Sequence, residues 1–310
     1  MSYMSYRVFV MFAFTILLCG GLYVTRGDAQ PDSFKEMAKG VWFRQGDIDN
    51  KGHCNNVVIE MKDSLLIVDA NYPSGAEALL KDIKKVSSKP VKWVFDTHHH
   101  GDHAYGNSVW TALGATTIAH ENVLREIEKY EPKRWQGSKR PDVVALHKQT
   151  LEPPQKTFRE NPYVIDDGER RVELHHFGWA HTRGDGFVYL PKEKILATGD
   201  AVTNGPWNNV ADASIGNWPR VIEAAQKLDV AQVMPGHGPA GGKEVLEGQK
   251  QFMLELRKAA SQGTRPDDPL FAKVTLPESV KKWVGRGLAG QLQTAYKEIQ
   301  AKKPAVDLPH

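Results

Sequence analysis

The chain has 310 residues, of which 41% are hydrophobic and 25% are charged, as in an ordinary globular protein. This length fits one large domain or two small ones, and this composition argues against long disorder and against a polytopic membrane protein. The 40 basic residues nearly balance the 37 acidic ones. The resulting net charge of +3 is too small for a protein specialised in nucleic-acid binding. Two cysteines exclude a disulfide-rich scaffold.

The first 29 residues have the pattern of a secretory signal peptide. Arg7 precedes the apolar run 8–18, and small residues follow up to Ala29. The run is too short to span a bilayer comfortably, so we predict cleavage rather than an uncleaved anchor. Residues 1–29 are therefore the predicted signal of a secreted or periplasmic protein, and residues 30–310 are predicted to form a single domain.

In the rest of the chain, short β-rich runs alternate with amphipathic stretches. Strands are predicted at residues 57–61, 65–69, 91–95, 116–119, 172–176, 187–190, 194–197 and 232–234. Helices are predicted at residues 76–86, 121–130, 218–228, 243–261 and 279–302. Residues 131–162 are rich in Pro, Lys, Arg and Gln, and we expect a long irregular loop near the site. Strands followed by a helix, repeated once, favour two sheet halves with outer helices.

Ligand-type side chains are concentrated in residues 97–103, which read Thr-His-His-His-Gly-Asp-His. Residues two apart in an extended segment point the same way, so His98 and His100 can converge on one ion while the middle histidine faces elsewhere. The glycine allows a turn, after which Asp102 and His103 can reach a second point nearby. Imidazole and carboxylate groups suit Zn²⁺ or a similar divalent ion.

Three later turns at strand ends each carry one more ligand-type side chain. They are residues 178–185 with His181, 196–200 with Asp200, and 235–239 with His237. A single histidine on such a turn is more often structural. Four such turns in one chain, all at strand ends, instead predict a common metal site.

The ordered motifs resemble those of the metallo-β-lactamase superfamily of hydrolases. They are His-x-His-x-Asp-His, Gly-x-x-His-Thr-x-Gly-Asp, Thr-Gly-Asp and Pro-Gly-His-Gly. The resemblance covers roughly residues 41–256. It implies an α+β fold, a four-layer αββα sandwich with two metals in a groove at one sheet edge.

The resemblance also implies a role for each residue of the site. The implied ligands of the first metal are His98, His100 and His181. Those of the second are Asp102, His103 and His237. Asp200 is expected to bridge the two metals, and Asp102 is also the expected catalytic residue, which orients hydroxide and passes its proton onward.

Asp200 separates branches of the superfamily, because many β-lactamases have Cys or Ser there, whereas glyoxalase II and RNase Z-like members have Asp. Export and the low net charge argue against a nuclease. Residues 178–200 and the run to residue 255 most resemble exported hydrolases associated with quinoprotein alcohol dehydrogenases and sulfur oxidation. Other relatives of this kind are β-lactamase-like or glyoxalase II-like.

The predicted function is that of an exported hydrolase with two Zn²⁺ ions, or other divalent metals, in which metal-bound hydroxide attacks a carbonyl. The expected substrate is a small molecule, namely a β-lactam, lactone, ester or thioester. No nucleic-acid partner and no stable membrane insertion after signal cleavage are expected. Two alternatives stay open: a mononuclear-iron thiol or persulfide oxygenase on the same fold, and a non-catalytic metal-binding relay protein for an exported dehydrogenase.

Three residues are candidates to hold the ligating histidines through hydrogen bonds, with capping of turns and strand ends as the competing interpretation. They are Asp69, Thr182 and Asp185. Trp42 and Trp135 are candidates for the pocket rim, although ordinary packing is the stronger expectation. Cys54 is expected to be a packed thiol rather than a nucleophile.

Overall fold

The computed structural model describes residues 31–285 and 287–301, so the predicted signal peptide lies outside the described residues. Its first sheet has seven strands in chain order, antiparallel from β1 to β4 and parallel from β4 to β7. These strands are β1 (Phe34–Ala38), β2 (Val41–Arg44), β3 (Asn56–Glu60), β4 (Leu65–Val68), β5 (Val91–Phe95), β6 (Thr116–His120) and β7 (Lys156–Phe158).

The second sheet has five strands in the order β12-β11-β10-β9-β8. They are β8 (Tyr163–Asp166), β9 (Arg171–His176), β10 (Gly186–Leu190), β11 (Ile195–Ala197) and β12 (Gln232–Met234). All pairs are antiparallel except β11 with β12. Because those two strands are parallel, the turns that follow them leave the sheet at the same edge.

Eight α-helices of the described residues cover the outer faces and the site edge. They are α1 (Pro73–Val86), α2 (Gly101–Ala104), α3 (Asn107–Thr111), α4 (Glu121–Gly137), α5 (Pro141–Val144), α6 (Trp218–Ala225), α7 (Lys243–Ala260) and α8 (Leu288–Gln300). Of these helices, none has both the length and the apolar character needed to cross a bilayer.

Three of the four apolar clusters of the described residues lie between successive layers, which makes the fold an αββα sandwich. The central layer joins the two sheets, with Ile59 and Leu66 on one side and Leu174 and Val188 on the other. A second layer packs α1 and α3 against the first sheet, and a third packs α6, α7 and α8 against the second. Strands covered on both faces read as continuous apolar runs, as Leu65–Val68 does. The predicted fold is therefore confirmed.

The prediction for residues 131–162 was wrong in part, because this segment contains the end of α4, the short helix α5 and the strand β7. The predicted helix 121–130 in fact continues past Pro132, which lacks an N–H and would ordinarily end a helix. Glu131 and Trp135 lie four residues apart and are both buried. Tertiary burial of this face therefore overrides the local signal.

The predicted C-terminal helix at 279–302 is also corrected, because the chain forms a 3-10 segment at Glu278–Trp283 and then α8. Gly285 and Gly287 lie between the two pieces, and glycine is a poor helix former. The strands β1 and β2 were not predicted. They pair with one another and with β3, and these pairings order residues whose local signal is weak.

Candidate metal centre

The predicted ligands lie on turns at one edge of the two sheets. The segment 98–103 follows β5, His181 lies on the turn between β9 and β10, and Asp200 and His237 follow β11 and β12. The two sheets are joined at this edge, because the N–H of Gly186 donates to the carbonyl of Thr97 at 2.8 Å. The fold thus brings together turns that are far apart in the sequence.

The first group of ligands is His98, His100 and His181, whose candidate ligand atoms all lie within 4.8 Å of one another. Nδ1 of His100 and Nε2 of His181 are 3.0 Å apart. His98 and His181 are almost fully buried, whereas His100 is partly exposed to the groove.

The second group is Asp102, His103 and His237, with ligand atoms that again lie within 4.8 Å of one another. Oδ2 of Asp102 is 3.1 Å from Nε2 of His237 and 3.3 Å from Nε2 of His103. One carboxylate oxygen therefore faces both imidazole rings of this group.

Asp200 lies between the two groups. Its Oδ1 is 3.4 Å from Nε2 of His103, and its Oδ2 is 3.3 Å from Nε2 of His237 and 3.7 Å from Nε2 of His181. Oδ2 of Asp200 thus lies near a histidine of each group, and a carboxylate placed between two groups in this way is positioned as a bridging ligand would be. All seven residues implied by the resemblance are thus brought together.

The groups that face this space fit a divalent metal. Nε2 of His98, Nε2 of His103 and Oδ1 of Asp200 are buried and have no hydrogen-bond partner among the residues that the structure describes. Leaving such atoms buried and unsatisfied costs about 1–3 kcal/mol each. A metal ion would satisfy them, and nitrogen and carboxylate oxygen are the donors that zinc accepts.

The two groups differ in protonation. Burial, followed by the neighbouring His100, lowers the pKa of His181 to about 3, and burial also holds the pKa of His98 well below its ordinary value. Burial likewise opposes charge on His237, but the Asp200 and Asp102 carboxylates outweigh it and raise its pKa to about 9. Burial therefore favours the neutral form of His98 and His181 in the first group, whereas the second group contains imidazolium–carboxylate pairs.

Asp69 occupies the position predicted for a partner of a ligand. Its Oδ2 is 2.9 Å from Nδ1 of His103, and its Oδ1 accepts the N–H of Thr97 at 2.8 Å. Its backbone has a φ of 66°, a left-handed conformation that a residue other than glycine rarely adopts. Both oxygens and the unusual backbone therefore serve to fix the turn that carries the ligands.

The other two predicted partners, Thr182 and Asp185, bond each other rather than a ligating imidazole. The Thr182 hydroxyl donates to Asp185 at 2.7 Å, and the same carboxylate accepts the backbone N–H of Thr182 at 2.9 Å. Burial raises the pKa of Asp185 to about 7. These two residues close the turn that carries His181, and among the described contacts neither bonds a ligating imidazole.

Two supporting contacts were missed by the sequence analysis. Nε2 of His100 is 2.9 Å from Oδ2 of Asp212, and Nδ1 of His181 is 2.9 Å from the carbonyl of Asn209. Asp212 lies between two alanines in a loop with no recognisable motif. Only its place in a Gly- and Asn-rich segment directly after Asp200 hinted at a role near the site.

The remaining candidates are structural. Trp42 and Trp135 are buried, so neither forms a rim. Burial raises the pKa of the Cys54 thiol to about 12, and a thiol that stays protonated is a poor nucleophile. His120 caps α4 by accepting the N–H of Asn122 at 3.3 Å.

A profile of the metallo-beta-lactamase superfamily matches residues 49–237. The chain is 26% identical over 239 residues to the metallo-beta-lactamase type 2 of Bacillus sp. (strain 170), which covers 72% of this chain and 82% of that protein. It is 31% identical over 121 residues to a hydroxyacylglutathione hydrolase of Dictyostelium discoideum, which covers 38% of this chain and 43% of that one.

Solved structures share the fold. A metallo-beta-lactamase from Pontibacter korlensis superposes with a TM-score of 0.60 at 22% identity, over 72% of this chain and 98% of that one. One from Hirschia baltica does so with a TM-score of 0.59 at 23% identity, over the same shares. At these identities the likeness concerns the fold alone.

Proposed function

This chain belongs to the metallo-beta-lactamase superfamily and is a metal-dependent hydrolase, and from that premise we propose that it is an exported enzyme that uses two zinc ions. The proposed substrate is a small molecule whose carbonyl bond is cleaved: a β-lactam amide, a lactone, an ester or a thioester. The observation that carries the proposal is the convergence of two complete ligand groups on Asp200.

We propose that His98, His100 and His181 would hold the first ion, that Asp102, His103 and His237 would hold the second, and that Asp200 would contact both. When bound, zinc lowers the pKa of water to about 7 and polarises a carbonyl oxygen. The protein's part is to keep the imidazoles of His98 and His181 neutral by burial and to hold the ligating rings in one orientation.

Asp102 is the proposed proton carrier. Its side chain is 18% exposed, against 7% for Asp200, so it is the carboxylate that reaches the groove. His103 and His237 hold its pKa well below the ordinary range despite burial, so it is ionised at neutral pH. General acid–base help of this kind contributes about 10²–10⁴-fold to a rate.

A cavity of about 360 Å³ lies between residues 45–49, residues 204–207 and Gly238, directly after His237. Its size supports a small-molecule substrate rather than a polymer. Trp207 lines it and donates through Nε1 to Asp49 at 3.1 Å, which connects the two loops that border the cavity. We propose this cavity as room for the part of the substrate beyond the cleaved bond.

The test combines metal analysis with turnover on one preparation of residues 30–310. Nitrocefin, simple lactones and thioesters are assayed before and after a chelator, and again after zinc is restored. We expect about two zinc ions per chain and hydrolysis of at least one substrate that the chelator abolishes. One iron per chain with thiol oxidation would support the oxygenase, and two zinc ions without any turnover would support the relay protein.

Export is tested separately. The full chain is expressed with a C-terminal tag in a Gram-negative host, and the N-terminus of the tagged protein is determined in each cell fraction. We expect a mature protein that starts near residue 30 outside the cytoplasm. An intact N-terminus on protein confined to the cytoplasm would contradict the proposal.

A further inference from the structure

Two histidines of the first group depend on one loop, which we name the support loop (residues 207–217). Oδ2 of Asp212 lies 2.9 Å from Nε2 of His100, and the carbonyl of Asn209 lies 2.9 Å from Nδ1 of His181. Each ring thus uses one nitrogen for the loop and directs the other into the site, where Nδ1 of His100 and Nε2 of His181 are 3.0 Å apart. The loop therefore selects which nitrogen each ring presents.

Asp212 is itself held by two other elements. Nη2 of Arg134, on α4, donates to both carboxylate oxygens at 2.8 and 3.2 Å. The indole Nε1 of Trp179 donates to the backbone carbonyl of Asp212 at 2.8 Å. Nη1 of Arg134 also donates to the buried Glu131 at 2.8 Å. Because one nitrogen of this anchored arginine contacts both oxygens, it restrains the orientation of the carboxylate as well as its position.

The opposite side of the support loop is held by α8. The carboxylate of Glu298 accepts the N–H groups of Ile215 at 2.8 Å and Gly216 at 3.0 Å. Nε2 of Gln291 donates to the carbonyl of Asn208, the residue before Asn209, at 2.6 Å. Helix α8 begins about 50 residues beyond the last residue that matches the superfamily profile.

We propose that α8 is a working part of the first metal site: through Glu298 and Gln291 it holds the support loop, whose Asp212 and Asn209 position His100 and His181. This inference rests on the proposed metal function. It makes Asp212 and Glu298 positioning residues, because neither lies among the ligands. It also predicts selectivity, since in the second group the partner of His103 is Asp69, outside the support loop.

The experiment compares Asp212→Ala and Glu298→Ala with wild type in two measurements. The first is a stepwise zinc titration with a competing chelator, which gives the affinity of each site. We expect first-site affinity to fall about 10–100-fold in both variants, the range for loss of a group that orients a ligand, while second-site affinity stays within about twofold. Asp69→Ala is the matched variant for the second group. It is expected to lower second-site affinity while first-site affinity stays within about twofold.

The second measurement needs neither metal nor substrate. Long-range ¹H–¹⁵N NMR of the metal-free protein reports which nitrogen of His100 carries the proton. We expect the Nε2–H form in wild type and a mixture of tautomers in Asp212→Ala. Glu255→Ala is the control, since Glu255 on α7 is a carboxylate that accepts from Lys258 at 3.4 Å in an exposed contact. This control should match wild type in both measurements.

Glu298→Gln retains the shape of the side chain and one acceptor oxygen, so it replaces Glu298→Ala if that variant does not fold. We expect it to lower first-site affinity by a smaller factor. Unchanged first-site affinity in folded Asp212→Ala and Glu298→Gln would overturn the inference, as would equal losses at both sites. Failure of the proposed function looks different: wild type would bind two ions without hydrolysing any substrate, and the affinity comparison would still be informative.

Discussion

The two ligand groups lie side by side but are prepared for a metal in opposite ways. In the first, burial favours the neutral form of His98 and His181, with the pKa of His181 lowered to about 3. In the second, carboxylates hold a proton on His237, whose pKa is raised to about 9. At neutral pH a metal must displace at least one proton from the second group, whereas burial already disfavours a proton on His98 and His181 of the first. From this difference in charge balance we expect the first group to bind metal before the second.

The largest expected effect comes from Asp200→Ala, which removes the carboxylate that contacts both groups. We expect the second metal to be lost first and turnover to fall about 10³-fold, the upper range for loss of one electrostatic stabiliser. Zinc stoichiometry and kcat on the same preparation give the answer. Unchanged stoichiometry would contradict the bridging role.

The pH dependence of zinc binding should distinguish the groups most directly. Below a pKa of about 9, His237 is protonated and must release that proton, and the pKa of His103 is also raised, so second-site affinity should fall at least about tenfold for each pH unit between 8 and 6. First-site affinity should change less in this range, because burial holds the pKa values of His98 and His181 low. Titrations at three pH values test this contrast, and parallel pH profiles for both sites would refute it.

The same proton affects the stability of the metal-free protein. The pKa of His237 is raised above its ordinary value of 6.5, so its charged form contributes stability that is fully present below pH 6.5. That contribution should be lost as the pH rises toward 9, and the melting temperature should fall over this interval. The variant His237→Gln should show a smaller decline, because His103 keeps its raised pKa, and an identical decline in both proteins would assign it to other groups.

Asp69→Asn gives the next effect in size. The amide can still accept from Thr97 but supports Nδ1–H of His103 less strongly, so we expect a 10–100-fold loss of second-site affinity. The first site should be nearly unaffected. The zinc affinities of the two sites are measured by the same chelator competition. An equal loss of affinity at both sites would mean that Asp69 stabilises the fold as a whole and does not act on His103 specifically.

The smallest effect is expected for His147→Ala, which lies outside both groups. Nε2 of His147 is 2.7 Å from the carbonyl of Trp135, a contact at the end of α4 away from the ligands. We expect kcat and zinc content within about twofold of wild type and a stability loss near 1 kcal/mol, the worth of one hydrogen bond. A large loss of turnover would show that the ligand assignment is incomplete.

The sequence by itself determined the ligand turns and the strands that carry them. The run from His98 to His103 and the turns with His181, Asp200 and His237 are local patterns, and each lies near a strand whose apolar run is also local. The role of Asp69 as a partner of a ligand could also be predicted, because this residue ends a run with a strong strand pattern. Patterns of this kind involve residues only a few positions apart, so they can be recognised in a single amino-acid sequence.

Only the tertiary structure decided which residues hold those ligands in place. Asp212 and His100 are 112 positions apart, and Glu298 meets the support loop from more than 80 positions away. The extension of α4 past Pro132 follows from the burial of Glu131 and Trp135, against the local preference of proline. Such contacts produce no local pattern in the sequence, because they depend on how packing brings two distant segments together and not on the neighbouring residues within each segment.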